Sequence, residues 1–285
     1  MDTTQNKTHA ESSWKTPDGA QLYCQEWLPG GEVKAAVVLV HGLGEHSSRY
    51  QHVADFLNSA GYAVTAFDLR GHGRSTGVRG DCSYDQTADD IQHFLDQASA
   101  RFADLPLFLY GHSLGGALVL YYGLTHNPKL TGIIATSPGL IPAQDPGAKR
   151  TIAKIMARLL PSMTMNNDLD VTGLSHIPAV SEKYLADPLV HPKISIRLGN
   201  DLLSKGEWML QQTSFPVPLL LLQGSEDRLV NPAGARRFAE NVKGATTFHL
   251  YPGLYHELHN EAEQREVLQT ILDWMENIEN TTRMG

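Results

Sequence analysis

Cysteine is nearly absent from this 285-residue chain, which has only Cys24 and Cys82. Two cysteines cannot build a disulfide framework and their surroundings give no metal-ligand spacing, so they read as free thiols and no metal site is expected. No apolar run approaches the roughly 18 residues that a membrane-spanning helix needs. Basic residues are scarce too: 23 Lys and Arg stand against 31 Asp and Glu, a net charge of -8. That balance works against phosphate-backbone binding, so nucleic acid is not an expected partner. The opening MDTTQNKTHAESSW is polar and has none of the apolar core of a secretory signal, from which a cytoplasmic location is expected. What is present, 41% hydrophobic and 19% charged residues, is the composition of a globular protein. The length suits one large domain, or a domain with an insertion, and either buries a sizeable core.

Near the N-terminus, segments around Trp14 and at 22–27 flank Pro17-Asp18-Gly19, a turn signal that predicts a hairpin. Further on, short apolar runs recur at 35–40, 63–67, 105–110, 132–135 and 217–222. They are apolar on consecutive positions, as strands are when both faces of a parallel sheet are covered. Between them lie segments of helical period. Tyr84, Ala88, Ile91, Leu95 and Ala98 recur at three- or four-residue steps, with Ser83 and Gln86 spaced as a capping box. Val267, Ile271, Met275 and Ile278 repeat the period near the end. Alternating strands and helices predict an α/β fold with a mostly parallel, doubly wound sheet and right-handed crossovers. The alternation stops between 140 and 212, where prolines punctuate helical patches and no buried strand is evident. This stretch reads as an inserted, mainly helical cap over the carboxyl edge of the sheet, with 1–139 and 213–285 forming the core.

In YGHSLGGALV, Ser113 lies between glycines directly after one apolar run and before another. A serine on a sharp strand-to-helix turn is held outward and can serve as a nucleophile; the plainer reading is a turn whose glycines supply positive φ. A serine hydroxyl needs a base, and the base needs an acid to hold its tautomer. QGSEDRLVNP puts Asp227 just past the 219–222 run, with Glu226 as the competing acid. Asp187 and Asp201 read as surface charges of the cap. PGLYHELHNE puts His256 after a strand-like segment at 247–251. His249, inside that segment, reads as structural, and His259 as part of a first helical turn. His41, ahead of a glycine turn, reads as an organiser of its loop. HELH lacks the spacing of a zinc protease, and no cofactor is implied. Acyl transfer also needs two N–H donors for the developing oxyanion, for which the amides of Leu114 and Leu43 are the candidates.

The order serine, acid, histidine, with G-x-S-x-G at 111–115, is that of the α/β-hydrolases. HGLGEHSSRY, DLRGHGRSTG, GHSLGG, GSEDRLV and YHELHNE together resemble the monoacylglycerol lipase and lysophospholipase branch of that fold, over nearly the whole chain from Trp14. The resemblance implies an α/β-hydrolase fold, Ser113, Asp227 and His256 as catalytic residues, and hydrolysis of fatty-acyl esters of glycerol. It also implies that Glu45 and Arg49 orient the alcohol part of the substrate, against the alternative of a solvated salt bridge. Lysophospholipase, general carboxylesterase and thioesterase activities use the same triad. Dehalogenases and epoxide hydrolases need an acid where Ser113 stands, and a peptidase needs a cap acid for the substrate amine. A non-catalytic ligand receptor is the alternative from another class.

One segment reverses the sign of the chain. Between 146 and 167 there is no acidic residue, while Lys149, Arg150, Lys154 and Arg158 are present. Ile152, Ile155, Met156 and Leu159 share a helical face, with Arg150, Lys154 and Arg158 on another. A basic amphipathic helix suits peripheral contact with a membrane, and the plainer reading is a helix packed on the sheet domain.

Overall fold

The structure is a computed structural model that describes residues 8–144, 147 and 149–284. The hairpin forms from β1 (Thr8–Lys15) and β2 (Gln21–Leu28). Six further strands complete the main sheet or lead into its excursion: β3 (Ala35–Val40), β4 (Tyr62–Phe67), β5 (Leu107–His112), β6 (Gly132–Thr136), and two short ones, β7 (Thr164–Asn166) and β8 (Lys193–Ser195). Last come β9 (Leu219–Gly224) and β10 (Thr246–Tyr251). The helices are α1 (Gln51–Ser59), α2 (Tyr84–Arg101), α3 (Leu114–His126), α4 (Lys149–Leu159), α5 (Pro178–Ala186), α6 (Ile196–Met209), α7 (Ala233–Asn241) and α8 (Gln264–Met284).

Eight strands lie in the order β1-β2-β4-β3-β5-β6-β9-β10, parallel from β4 to β10, with the hairpin antiparallel at one edge. The unbroken apolarity of the central strands has its cause in two cores. Val38, Leu109, Ile133 and Leu221 face the side covered by α2, α3, α6 and α7, while Val37, Phe108, Ile134 and Leu222 face α1 and α8. Each such side chain contributes about 1.5–3 kcal/mol on burial, so an alternating pattern would forfeit one core. In α2, Ser83 caps the first turn by accepting from the Gln86 amide at 3.2 Å. Its hydroxyl also meets the Gln86 side chain at 3.1 Å, so only the forward half of the capping box is made.

The winding reverses at β3, whose neighbours β4 and β5 lie on opposite sides. A crevice at the carboxyl ends of β3 and β5 follows from that reversal. Between β6 and β9 the chain leaves the sheet and forms α4, α5 and α6 with the β7–β8 pair. That pair is not the buried strand whose signal is missing from 140–212: each strand has three residues, β7 is largely exposed and neither is apolar throughout, so no periodicity marks them. Asp187 and Asp201 are also not simple surface charges. Asp187 accepts from His46 Nε2 at 2.8 Å, joining this excursion to the β3 loop, and Asp201 accepts the Tyr84 amide at the start of α2 at 3.2 Å.

Candidate active site

The turn after β5 forces Ser113 to φ 56° and ψ −114°, a conformation that costs a non-glycine residue of order 1–3 kcal/mol. Its glycines play a different part from the one the turn reading gave them, since it is the serine that takes positive φ. A Cβ at Gly111 would collide with the Gly115 carbonyl, and one at Gly115 with the Val40 carbonyl, so both are needed for close packing of β5, α3 and β3.

Ser113, His256 and Asp227 stand in one hydrogen-bonded line. Asp227 can only accept, so His256 Nδ1–H donates to its Oδ2 at 2.7 Å; that tautomer leaves Nε2 to accept from the Ser113 hydroxyl at 2.8 Å. The other bonds to Asp227 hold it still: Gln223 Nε2 donates to Oδ2 at 2.9 Å, and the amides of Leu229 and Val230 donate to Oδ1 at 2.8 and 3.0 Å. Glu226, the competing acid, is exposed. Burial would by itself depress the His256 pKa, but the Asp227 charge and hydrogen bond outweigh it and the net direction is upward. The His256 loop is fastened from two sides. Ser137 Oγ donates to the His256 carbonyl at 2.7 Å, and the Glu257 amide donates to Leu174 O of the 140–212 segment at 2.7 Å.

Leu43 and Leu114 both border the space beside Ser113. Neither amide meets a protein acceptor among the described residues. Gly42 brings the β3 loop close enough that a Cβ there would lie 3.2 Å from Ser113 Cβ. His41 ties this loop down. Its Nδ1–H donates to Gly42 O at 2.8 Å and its Nε2 accepts the Leu69 amide at 2.9 Å, while burial lowers its pKa and keeps it neutral.

Glu45 and Arg49 are not a solvated pair. Arg49 donates to Glu45 Oε2 and grips Glu257 with both terminal nitrogens at 2.7 and 2.8 Å. Tyr50 OH and the Gly42 amide each donate to Glu45 Oε1 at 2.7 Å. Glu45 borders the small space next to Ser113, whereas Arg49 lies behind it with its guanidinium 4.9 Å from the Tyr184 ring centre. Burial of Glu45 would raise its pKa, but the Arg49 charge together with His112, His41 and the Tyr50 hydrogen bond outweighs it and holds the pKa down at about 2.

Several residues of this site carry no local sequence signal. Glu257 is one, its partner being 208 positions away. Glu261 is another, fully buried and accepting from the amides of Tyr255 and His176 at 2.9 and 3.0 Å. His112, inside the serine motif, donates or accepts at Thr136 Oγ1 at 3.0 Å and packs 4.9 Å from the His256 ring. Burial first, and then the neighbouring His256, push the His112 pKa down to about 3. His259 is fully buried against Tyr50 and His112 in a single 3-10 turn. His249 is exposed on β10.

From Ser113 a cavity of about 270 Å³ opens under the 140–212 segment. Leu43, Leu169, Ile194, Leu202, Leu203 and Val230 make it mostly apolar. Besides Ser113, its polar lining includes Gln144 and Asn167, the latter with Nδ2 buried and without an acceptor among the described residues. Among the described residues no group of three or more His, Cys, Asp or Glu is arranged to hold a metal ion, and no helix is long and apolar enough to cross a membrane.

The chain is similar to known proteins over most of its length. The profile of the family described as serine aminopeptidase, S33 matches residues 31–263. A monoacylglycerol lipase of Mycolicibacterium smegmatis is 34% identical over 278 residues, which cover 95% of this chain and 98% of that one. An abhydrolase domain-containing protein of Dictyostelium discoideum is 39% identical over 96% of the chain, which spans 30% of that relative's length. The crystal structure of a Paleococcus ferrophilus monoacylglycerol lipase superposes with a TM-score of 0.84 at 35% identity, covering 90% of this chain and 99% of that one.

Proposed function

The chain belongs to the serine aminopeptidase S33 family, on the branch of its monoacylglycerol lipase relatives, and from that premise we propose that it is a serine esterase cleaving fatty-acyl esters of glycerol. The single observation that carries this reading is the Ser113–His256–Asp227 line opening on an apolar cavity. Ser113 attacks the ester carbonyl as His256 takes its proton. The amides of Leu43 and Leu114 stabilise the oxyanion; His256 returns the proton to the leaving glycerol, and water then releases the fatty acid from the acyl-enzyme. The acyl chain occupies the apolar cavity, whose roof is a cap formed by 140–212 on a core of 1–139 and 213–285. Glu45 faces the leaving alcohol and Arg49 acts through it, while Asn167 supplies a donor for a glycerol hydroxyl. No cofactor enters the reaction.

An aminopeptidase would hold its substrate ammonium on a free carboxylate. Glu45 and Glu257, the acids beside Ser113, are both bonded to Arg49, which supports the ester reading. The test is a panel of monoacylglycerols from short to long chain, with diacylglycerol, lysophosphatidylcholine and an aminoacyl naphthylamide beside them. Monoacylglycerols are expected to give the highest kcat/KM; activity confined to the lysophospholipid or to the naphthylamide would overturn the assignment.

The cap's outer side supports a peripheral membrane contact for an enzyme working from the cytoplasm. Ile155, Leu159 and Met165 are 57%, 68% and 54% exposed, close in sequence to the exposed Lys154 and Arg158; Arg150 and Ile152 fall outside the described side chains. A basic side chain near an anionic surface contributes about 1 kcal/mol. Lys154→Gln with Arg158→Gln is therefore expected to weaken co-sedimentation with phosphatidylserine vesicles on the order of 30-fold, and an unchanged partition would remove the contact.

A further inference from the structure

The apolar cavity does not end the free space along α6. A second cavity, of about 230 Å³, lies between α6 and α7 and shares two lining residues with the first, Pro142 and Leu203. Its inner wall is apolar, made by Leu140, Ile141 and Leu210, and its rim carries Glu207, Gln211 and Arg237. Those two side chains therefore form a partition that the cavities share.

The proline side of that partition is rigid. Pro142 bridges to Val230, the Asn231 amide donates to Ile141 O at 2.9 Å, and the Ala143 amide donates to Leu229 O at 3.3 Å. Gly206 of α6 is seated on the Leu140 carbonyl, where a Cβ would collide with it, so helix and loop cannot slide apart cheaply. Leu203 is the soft side. It is half-buried, and a leucine changes rotamer without disturbing backbone hydrogen bonds. Leu203 also borders a third cavity, of about 400 Å³, between α4 and α6, but Lys154, Arg158 and Arg197 line that one and make it a poor match for an alkyl chain.

We propose that Leu203 is the end-stop of the acyl cavity: chains that fit short of it are held in the first cavity, and longer chains pass only when its side chain turns aside and lets their methyl end enter the second. This rests on the esterase reading and adds a residue that sets acyl length.

The experiment compares kcat/KM for p-nitrophenyl hexadecanoate and octanoate, taken as a ratio for each enzyme. Leu203→Ala is expected to raise the hexadecanoate-to-octanoate ratio about tenfold, the discrimination expected when one or two further methylenes are buried. Leu203→Phe is expected to lower it by a similar factor. Gln211 is exposed and borders the second cavity but not the first, so Gln211→Trp narrows that space without entering the first. Added to Leu203→Ala, it is expected to cancel the gain. A ratio that stays within twofold in both Leu203 variants, or a gain that survives Gln211→Trp, overturns the end-stop. Nitrophenyl esters carry no glycerol, so an enzyme active on them and inactive on every monoacylglycerol overturns the alcohol assignment while the acyl series still tests Leu203.

Discussion

Ser113→Ala is expected to abolish labelling by a fluorophosphonate probe and to lower kcat on monoacylglycerols by about 10⁶-fold. The magnitude follows from the geometry. Among the described residues, His256 Nε2 has one hydrogen-bond partner, the Ser113 hydroxyl at 2.8 Å. With the oxygen gone, the oxyanion donors and the cavity still bind ester and orient water, leaving a residual rate of about 10³–10⁴ over the uncatalysed reaction. The strained backbone adds a second readout. Alanine at φ 56° keeps the steric cost that serine bears, whereas Ser113→Gly relieves it, so the glycine variant is expected to be about 1 kcal/mol more stable than the alanine variant and equally inactive. Undiminished probe labelling in either variant would place the nucleophile elsewhere, and an unlabelled natural chain that folds would favour a ligand receptor over an enzyme.

The same residue shows which parts of this molecule a linear reading reaches. Strands β3, β5 and β9 are legible because burial on both faces writes a continuous apolar run, and the ends of β5 and β9 then point to the loops that carry Ser113 and Asp227. The two strands of β7–β8 are not legible, since three residues each, with β7 mostly exposed, leave no period to find. Buried ion pairs are hidden for a related reason. Arg49 and Glu45 are four apart and suggest a surface pair, yet the third member, Glu257, comes from 208 positions away and turns the pair into an enclosed network. His259 likewise reads as part of an ordinary helical turn, and only packing against Tyr50 and His112 shows it to be fully enclosed. Local spacing records what repeats along the chain, and a bond made once between distant segments leaves no such record.

Asp227→Asn is expected to lower kcat by about 10⁴-fold while leaving KM within a few-fold, because the side chain keeps its shape and loses its role. The Asp227 carboxylate accepts four hydrogen bonds, from His256, Gln223, Leu229 and Val230. An asparagine has one oxygen. Since the Leu229 and Val230 amides are fixed donors, that oxygen turns to them and the amide N–H₂ turns to His256, donating to Nδ1. The imidazole proton then moves to Nε2, and a protonated Nε2 cannot accept from Ser113. The pH profile gives an independent check. His256 works as a base only when neutral, and with Asp227 in place its pKa is raised, so kcat/KM for the natural chain falls on the acid side with an apparent pKa above the ordinary imidazole value of about 6.5. Removing the charge leaves burial as the dominant influence, which lowers the pKa, so the acid limb of Asp227→Asn is expected to move to lower pH. Glu226→Gln, at an exposed position, is expected to change neither rate nor profile. A loss under tenfold in Asp227→Asn with an unmoved limb, together with a large loss in Glu226→Gln, would transfer the acid role to Glu226 and require the 225–230 turn to rearrange before catalysis.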